Sequence, residues 1–244
     1  MQNWRTLSSP GEAMIQIKAN GFTLVEIAIV LVIVGLLLGG TLKSMELIAG
    51  ARVREFIAQQ DGIRVAFLGF EDRYRAKPGD YSRATTIIAG TTQNGNGNGR
   101  IEGTAVPIES ILVWEHLSRA GFLARTYTYS ATESPSTGPG NRYGVNQQIV
   151  YDGVFGTGTT AVPLPPWHNI KTGSQVPVVV VAEMDRKIDD GAPFTGGFQF
   201  SSYRGNGVAD PALSGTDSCI AGIGPSATWA VSSGQANCGG ASLL

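Results

Sequence analysis

The residue whose type and position most call for a chemical explanation is Glu26. It lies in the segment NGFTLVEIAIVLVIVGLLLGG, residues 20–40, and it is the only charged residue between Phe22 and Leu42. An uncompensated carboxylate near the centre of a membrane-spanning helix costs about 2.5–3.5 kcal/mol. Glu26 is therefore predicted to have a cationic partner. The alternative is a carboxyl group that is protonated or that reaches the membrane surface.

The 21 residues from Phe22 to Leu42 predict a membrane-spanning helix. At 1.5 Å per residue such a helix is about 30 Å long, which matches the hydrocarbon core of a bilayer. Lys18 precedes the span and favours an N-terminus in the cytoplasm. A cleaved secretory signal is not supported, because the small-residue motif at 49–51 lies too far beyond the apolar run. An ordinary single-pass anchor would leave Glu26 without a role.

The segment KANGFTLVEIAIVLVIVGLLLGG, residues 18–40, resembles the N-terminus of type IV prepilins and of the related pseudopilins of type II secretion. The resemblance implies that a prepilin peptidase cuts on the cytoplasmic side between Gly21 and Phe22. The same enzyme then methylates the new amine of Phe22. Glu26 stands at the glutamate position of this family.

Cleavage would supply the cation that Glu26 lacks. Residues four apart lie on one helix face, about 6 Å from each other, so the amine of Phe22 and Glu26 are neighbours. A carboxylate beside an ammonium group is tolerable in a low dielectric, whereas an isolated carboxylate is not. The resemblance implies that Glu26 meets the amine of a neighbouring subunit and sets the axial register of a filament.

The leader peptide is predicted to comprise residues 1–21. This length is long for the family that the segment resembles. A start at Met14 would give the leader MIQIKANG, which is closer to the family's usual length, and both starts stay open.

Composition favours a loop-rich body outside the cytoplasm. The chain has 244 residues, 33 of them Gly, and a formal net charge of -1. Residues 76–244 hold ten Lys and Arg against twelve Asp and Glu, so no nucleic-acid partner is expected. In an oxidising compartment, Cys219 and Cys238 are predicted to form a disulfide. They also resemble the cysteines that close a C-terminal loop in many pilin heads.

A helix is predicted from Phe22 to about Arg75, well beyond the membrane span. After residue 42 the apolar side chains recur with helical spacing, and Pro78 marks the end of the pattern. The stripe comprises Met45, Ala49, Val53, Phe56, Ile63, Phe67, Phe70 and Tyr74. Residues 22–75 would therefore form the pilin helix, transmembrane over 22–42, and residues 76–244 a periplasmic or extracellular head.

Three short stretches of the head also resemble prepilin-like proteins: YRAKPGDYSRA (74–84), ESILVWEHLSRAGFL (109–123) and IDDGAPFTGG (188–197). Pro107 to Ala120 predicts a helix that turns three apolar residues inward, namely Ile111, Trp114 and Leu117.

Three segments rich in β-branched and aromatic residues predict strands: 147–154, 176–182 and 198–203. The valine run at 176–182 alternatively begins a helix that continues through Met184 and Ile188. Periodicity does not separate the two in so short a piece.

A glycine- and asparagine-rich loop is the candidate metal site. The stretch NGNGNGRIE, residues 94–102, places Asn94, Asn96 and Asn98 at alternate positions, as in the first half of a calcium loop. None of the three is a carboxylate, and Ala105 occupies the position where a calcium loop carries Glu. An Asn-Gly turn loop is the simpler prediction. No cofactor is expected, and calcium at these three residues is the alternative.

The sequence predicts no enzyme. His116 and His168 are the only histidines, the first predicted in a core or capping role and the second in a loop. Asp189 and Asp190 are adjacent and are expected to point apart in a turn. No two-histidine zinc helix, nucleophile elbow or phosphate loop is found.

Together these patterns predict an α+β fold in which a long N-terminal helix packs on an antiparallel head. The resemblance implies a structural subunit of a type IV pilus-like filament. It would be held in the inner membrane, with its N-terminus cytoplasmic, before it enters a pilus or a periplasmic pseudopilus. Its partners would be the prepilin peptidase, other subunits in a homo- or hetero-polymer, the inner-membrane assembly machinery and membrane lipid. The alternatives are a minor pseudopilin of type II secretion and a minor pilin with an adhesin or DNA-uptake role.

Overall fold

The structure is a computed structural model that describes residues 23–104, 106–159, 161–222 and 224–244. Contacts between residues divide the chain into two units, Met1–Leu47 and Ile48–Leu244, and each is described by itself. The second unit contains the later part of the long helix in addition to the predicted head.

The long helix α1 extends from Leu24 to Tyr74, which confirms the predicted helix. In the second unit the predicted stripe is buried as far as Phe70: Val53, Phe56, Ile63, Phe67 and Phe70 are each no more than 3% exposed. Its last member, Tyr74, is half-buried. Met45 and Ala49 lie outside the residues whose side chains are described. The helical spacing of apolar residues therefore identified the face of α1 that packs on the head.

A glutamine completes the apolar stripe of α1. The predicted stripe has no member among the six residues between Phe56 and Ile63, and Gln60 lies in this gap with only 3% of its surface exposed. Its Nε2 donates a hydrogen bond of 2.5 Å to Oε1 of Gln147. A buried amide without such a partner would destabilise the fold, so the two glutamines are buried as a pair.

Three shorter α-helices, two 3-10 helices of three residues each and six strands follow α1 in the described part of the chain. The α-helices are α2 (Ala84–Ile87), α3 (Glu109–Arg119) and α4 (Val178–Ile188). The strands are β1 (Gln148–Asp152), β2 (Trp167–Lys171), β3 (Phe198–Phe200), β4 (Ile220–Ala221), β5 (Thr228–Trp229) and β6 (Gly240–Leu243). The fold is α+β, as the sequence predicts.

The main sheet has four antiparallel strands in the order β1-β2-β6-β3. Strands β4 and β5 form a separate antiparallel pair. The predicted strands at 147–154 and 198–203 are confirmed as β1 and β3, within shorter bounds. The sequence did not identify β2 and β6, although they hold the two central positions of the sheet.

The strand predicted at 176–182 is wrong, and the helical alternative is correct. Helix α4 begins after Pro177 and continues to Ile188. Val178, Val181 and Met184 are buried at helical spacing, whereas Val179 is half-exposed. The valines pack into the core on one helical face, and this packing outweighs their preference for strands. Only Val176 keeps a strand-like contact, an isolated antiparallel bridge to Cys238.

The helix predicted at 107–120 is confirmed as α3. It begins two residues later than predicted, at Glu109 rather than Pro107. Ile111, Trp114 and Leu117 are buried, as predicted, and so is every other residue from 109 to 118. Burial on all sides, including the polar ones, indicates that α3 lies inside the head. Gly138 packs so closely on the indole of Trp114 that an added Cβ would lie 2.6 Å from its Cδ1.

Two hydrophobic clusters hold the second unit together. In one, Val53 and Phe56 of α1 join α4, β3 and the disulfide. In the other, Phe67 and Phe70 of α1 join α3 and the inward-facing isoleucines of β1 and β2, which are Ile149 and Ile170. The later half of α1 therefore contributes to both clusters and is part of the head's core.

We expect Phe70→Ala to lower the free energy of unfolding of the second unit by about 3–5 kcal/mol. Phe70 is 0% exposed, and the rings of Tyr74, His116 and Phe122 lie around it. The measurement is urea denaturation of the full-length, detergent-solubilised protein, followed by tryptophan fluorescence. The matched control is Leu68→Ala on the same helix, which removes a side chain that is 53% exposed. Equal effects of the two substitutions would contradict the assigned face of α1.

Candidate functional site

The apolar start of α1 has the length and composition of a membrane span. The window Leu24–Thr41 has 18 residues and a mean hydropathy of 2.5. None of it is buried inside the structure, and Leu36, for example, is 73% exposed. An apolar surface of this size requires cover by lipid or by other protein chains.

Glu26 lies in the first turn of this helix and takes part in its N-terminal cap. Thr23 donates from its backbone N and from its Oγ1 to Oε2 of Glu26, each at 2.9 Å. In return, the backbone N of Glu26 donates to Thr23 Oγ1 at 3.2 Å. The two residues thus form a reciprocal capping box. This role was not predicted above, although Thr-x-x-Glu before an apolar run is its sequence signature.

The cap leaves Glu26 able to bind a cation. An ionised carboxylate has about four acceptor positions, and the bonds from Thr23 use two of them on a single oxygen. The carboxylate is fully exposed in the single chain. It can therefore hold the helix end and accept hydrogen bonds from an ammonium group at the same time. Gly21 and Phe22, the predicted cleavage site, lie outside the described residues.

Cys219 and Cys238 are joined in a disulfide, with an S–S distance of 2.07 Å and a Cα–Cα distance of 5.7 Å. Both sulfur-bearing residues are fully buried. The loop that they close carries β4 and β5. The backbone of Cys238 also pairs with Val176, so the disulfide attaches this loop to the segment just before α4.

The candidate calcium residues use their amide oxygens within the protein. Oδ1 of Asn94 accepts from the N and Oγ1 of Thr85 at 2.9 and 3.1 Å. Oδ1 of Asn96 accepts from the N of Asn98, and Oδ1 of Asn98 accepts from the N of Arg100. A cation at these oxygens would have to replace those hydrogen bonds. Calcium binding at this loop stays the untested alternative to an Asn-Gly turn loop.

Two buried carboxylates anchor the loop instead, and the sequence analysis did not single them out. Asp80 accepts from the N of Asn98 at 2.9 Å and from the N of Gly99 at 2.8 Å. Glu109 accepts from the N of Asn96 and from the N of Glu102. Burial raises the pKa of both carboxyls, while these backbone donors oppose the rise. No sequence signal marked them, because their partners are backbone groups contributed by a distant loop.

His116 has a structural role, as the sequence predicts. It is fully buried, and its ring stacks on Phe70. Its Nδ1 accepts a hydrogen bond of 2.9 Å from the N of Gly79, and its Nε2 lies 3.1 Å from the carbonyl of Gln93. Because Nδ1 is an acceptor, the proton of the neutral ring sits on Nε2 and is donated to Gln93. Burial lowers the pKa of His116 to about 4.

His168 lies in β2 rather than in the predicted loop. The prolines before it end at residue 166, and the strand begins at the next residue. Its ring centroid lies 4.7 Å from that of Tyr151 and 6.2 Å from that of Phe67. Burial, followed by the charge of Lys77, lowers the pKa of His168 to about 4. The ring therefore packs between two aromatic side chains in a half-buried position.

The expectation that Asp189 and Asp190 point apart is wrong. One carboxylate oxygen of each lies within 4.8 Å of the other and of an oxygen of Asp185. Asp185 is buried and accepts from Trp229 Nε1 at 2.6 Å and from the N of Gly191 at 3.2 Å. Burial raises the pKa of Asp185 to about 6. Hydrogen bonds hold both carboxylates of the turn in place. Asp190 accepts from the N of Ala192 and from Oγ1 of Thr195, and Asp189 accepts from the N of Phe198.

Comparison with known proteins identifies one feature of the chain. Residues 17–42 match the family model described as the prokaryotic N-terminal methylation motif. No curated protein and no solved structure matches the chain.

We expect the stability of the second unit to fall as the pH is lowered from 6.5 towards 4, in part through His116. The pKa of His116 is about 4 in the folded chain against the ordinary value of 6.5, so the unfolded chain binds the proton first. The stabilisation is therefore complete above pH 6.5, and about 3 kcal/mol is lost as the pH approaches 4.

The measurement is urea denaturation at several pH values for the wild type and for His116→Gln, which cannot titrate in this range. Protonation of His168 also lowers the free energy of unfolding, because its pKa is lowered in the fold. Protonation of Asp185 raises it, because the pKa of Asp185 is raised in the fold. Only the difference between variant and wild type is therefore assigned to His116. An unchanged slope in the variant would contradict the neutral, buried state of this ring.

Proposed function

We propose that this protein is a structural subunit of a type IV pilus-like filament, processed after Gly21 and assembled through its apolar N-terminal helix. The premise is the methylation motif at residues 17–42, which is the signature of type IV pilins and pseudopilins. This motif points to a structural subunit rather than to an enzyme.

The observation that carries the proposal is the place of Glu26 in the first turn of an apolar helix. The positive end of the helix dipole and the cap from Thr23 both stabilise its carboxylate. Peptidase cleavage would add a full positive charge, the amine of Phe22, at the same end of the helix. In a filament this amine, from the same or a neighbouring subunit, completes the compensation of the Glu26 charge.

The location follows from the same chemistry. Before assembly, residues 22–42 span the inner membrane with the N-terminus in the cytoplasm, and the head lies in the periplasm. The disulfide between Cys219 and Cys238 supports an oxidising compartment for the head. The prepilin peptidase, the inner-membrane assembly machinery and other subunits are the partners that this pathway requires.

A pseudopilin of a type II secretion system carries the same motif and is the second candidate. The two functions differ in where the assembled subunit is found. A pilus subunit is recovered in filaments sheared from the cell surface, whereas a pseudopilin stays with the envelope and its deletion blocks secretion. Both require the same processing of the N-terminus.

The first test is intact mass spectrometry of the protein from its native cells. We expect a chain that begins at Phe22 with a methylated amine and has lost all preceding residues. A functional mature chain that keeps residues before Phe22 would contradict the proposal and would leave a membrane-anchored head.

The second test separates the charge of Glu26 from its capping role. Glu26→Ala removes both, whereas Glu26→Gln keeps an oxygen that can accept from Thr23 but has no charge. We expect both variants to be cleaved normally and to be incorporated into filaments roughly tenfold less or worse, because a hydrogen bond to a charged group contributes about 1.5–3 kcal/mol.

The readouts are the fraction of cleaved protein in membranes and the amount of subunit in sheared filaments. Thr23→Ala is the matched control, since it weakens the cap and leaves the carboxylate in place. Full incorporation of Glu26→Gln would show that capping, rather than charge pairing, explains this glutamate.

A further inference from the structure

Residues 94–99 contain three consecutive Asn-Gly pairs. Asparagine is a thermolabile residue, because its side-chain amide can be lost by deamidation. Deamidation is fastest when glycine follows, since glycine has no side chain to hinder attack by its own backbone nitrogen. That nitrogen attacks Cγ of the asparagine, a C–N bond forms and ammonia leaves, which gives a succinimide. Water then opens the ring to aspartate or isoaspartate. A flexible NGNGNG segment in water would be expected to undergo this reaction at all three positions.

The fold requires the glycines in this loop. Gly97 and Gly99 have φ values of 77° and 83°, in the left-handed region that other residues rarely adopt. Gly95 packs on the backbone of Asp80 so closely that an added Cβ would lie 2.3 Å from the Asp80 carbonyl carbon. Replacement of the glycines therefore cannot remove the chemical liability without disturbing the loop.

Each nitrogen that could attack already donates a hydrogen bond. The N of Gly95 donates to the carbonyl of Tyr81 at 3.1 Å, and the N of Gly97 donates to the carbonyl of Asp80 at 2.9 Å. The N of Gly99 donates to Oδ2 of Asp80 at 2.8 Å. Cyclisation requires this nitrogen to lose its proton and turn towards the side chain, and each of these bonds opposes both changes.

The asparagine side chains are also held. Asn94 accepts from Thr85, and Asn98 accepts from the N of Arg100 at 2.8 Å. Nδ2 of Asn96 donates to Oε2 of Glu102 at 3.0 Å. Both reacting partners of each pair are therefore fixed by bonds that a mobile loop would lack.

We propose that Asn94, Asn96 and Asn98 are latent deamidation sites that the fold keeps unreactive, and that the side chain of Asp80 specifically protects Asn98. The three pairs differ in the acceptor that holds them. Backbone carbonyls protect Asn94 and Asn96, whereas Asn98 depends on a carboxylate that is 3% exposed. An anionic acceptor also disfavours deprotonation of the donor, so the Gly99 nitrogen is held in its unreactive form.

Opening of the loop would then allow an irreversible conversion of asparagine to aspartate or isoaspartate. Each conversion replaces a neutral amide by a carboxylate close to Asp80, Glu102 and Glu109, which already line the loop. The added negative charge would oppose the return of the loop to its anchoring carboxylates.

The test is peptide mapping by mass spectrometry after prolonged incubation of the full-length, detergent-solubilised protein at mildly alkaline pH. Deamidation adds about one dalton because NH2 becomes OH, and each site is scored separately. In the folded wild type we expect all three sites to convert at least roughly tenfold more slowly than in the same chain in urea. Equal rates in the two conditions would overturn the proposal.

The Asp80→Ala variant tests the assignment to a side chain. We expect Asn98 to convert roughly tenfold faster in the folded variant, while Asn94 and Asn96 stay slow because their acceptors are backbone carbonyls. Asp72→Ala, an exposed aspartate without a bond to this loop, is the matched control. An unchanged rate at Asn98 would overturn the role of Asp80.

A general loss of loop structure would accelerate all three sites together. Asp80→Asn guards against that outcome, because it keeps the size of the side chain and one acceptor oxygen. We expect an intermediate rate at Asn98 alone. Equal acceleration of the three sites in both variants would show that Asp80 only holds the loop together, and would overturn the specific protection of Asn98.

Discussion

The constraint on which this protein depends is that a carboxylate in an apolar helix must have its charge compensated. The single chain meets this constraint in part, through the helix end and the cap between Thr23 and Glu26. In the function that we propose, the amine of processed Phe22 supplies the rest of the compensation, and the methylation motif at residues 17–42 supports this proposal. In that proposed function, one ionic pair links processing to assembly, and this pair is our explanation for a glutamate in this position.

In the second unit, the same helix is adapted to the hydrophobic core of the head rather than to a membrane. From Val53 onwards one face of α1 enters two hydrophobic clusters of the head. The one fully buried polar residue on that face, Gln60, donates a hydrogen bond to Gln147. In both parts of α1, a polar group on an apolar surface therefore has a specific partner. In the second unit that partner is supplied by the head itself.

Several groups in the head have the chemistry of catalytic residues but are used as structural anchors. His116, Asp80 and Glu109 are buried, and each binds backbone groups of the chain around residues 79–102. Most of these bonds hold the glycine-rich segment between α2 and α3, whose described residues form no strand or helix. In a loop-rich protein, buried polar side chains replace the missing backbone ladders, so that buried N–H groups remain satisfied.

The sequence by itself determined the features that depend on local pattern. The charge in the apolar run identified Glu26, and helical spacing identified the buried face of α1 and the position of α3. Tertiary structure decided the rest. Strands β2 and β6 are short and lack a run of β-branched residues, so their neighbours in the sheet decide that they are strands. The valines of α4 are helical because their core position outweighs their local preference. Likewise, Asp80 and Glu109 acquired their role from loop backbone groups that no local pattern connects to them. Interactions between distant residues leave no local signature, and this is why only the fold could reveal them.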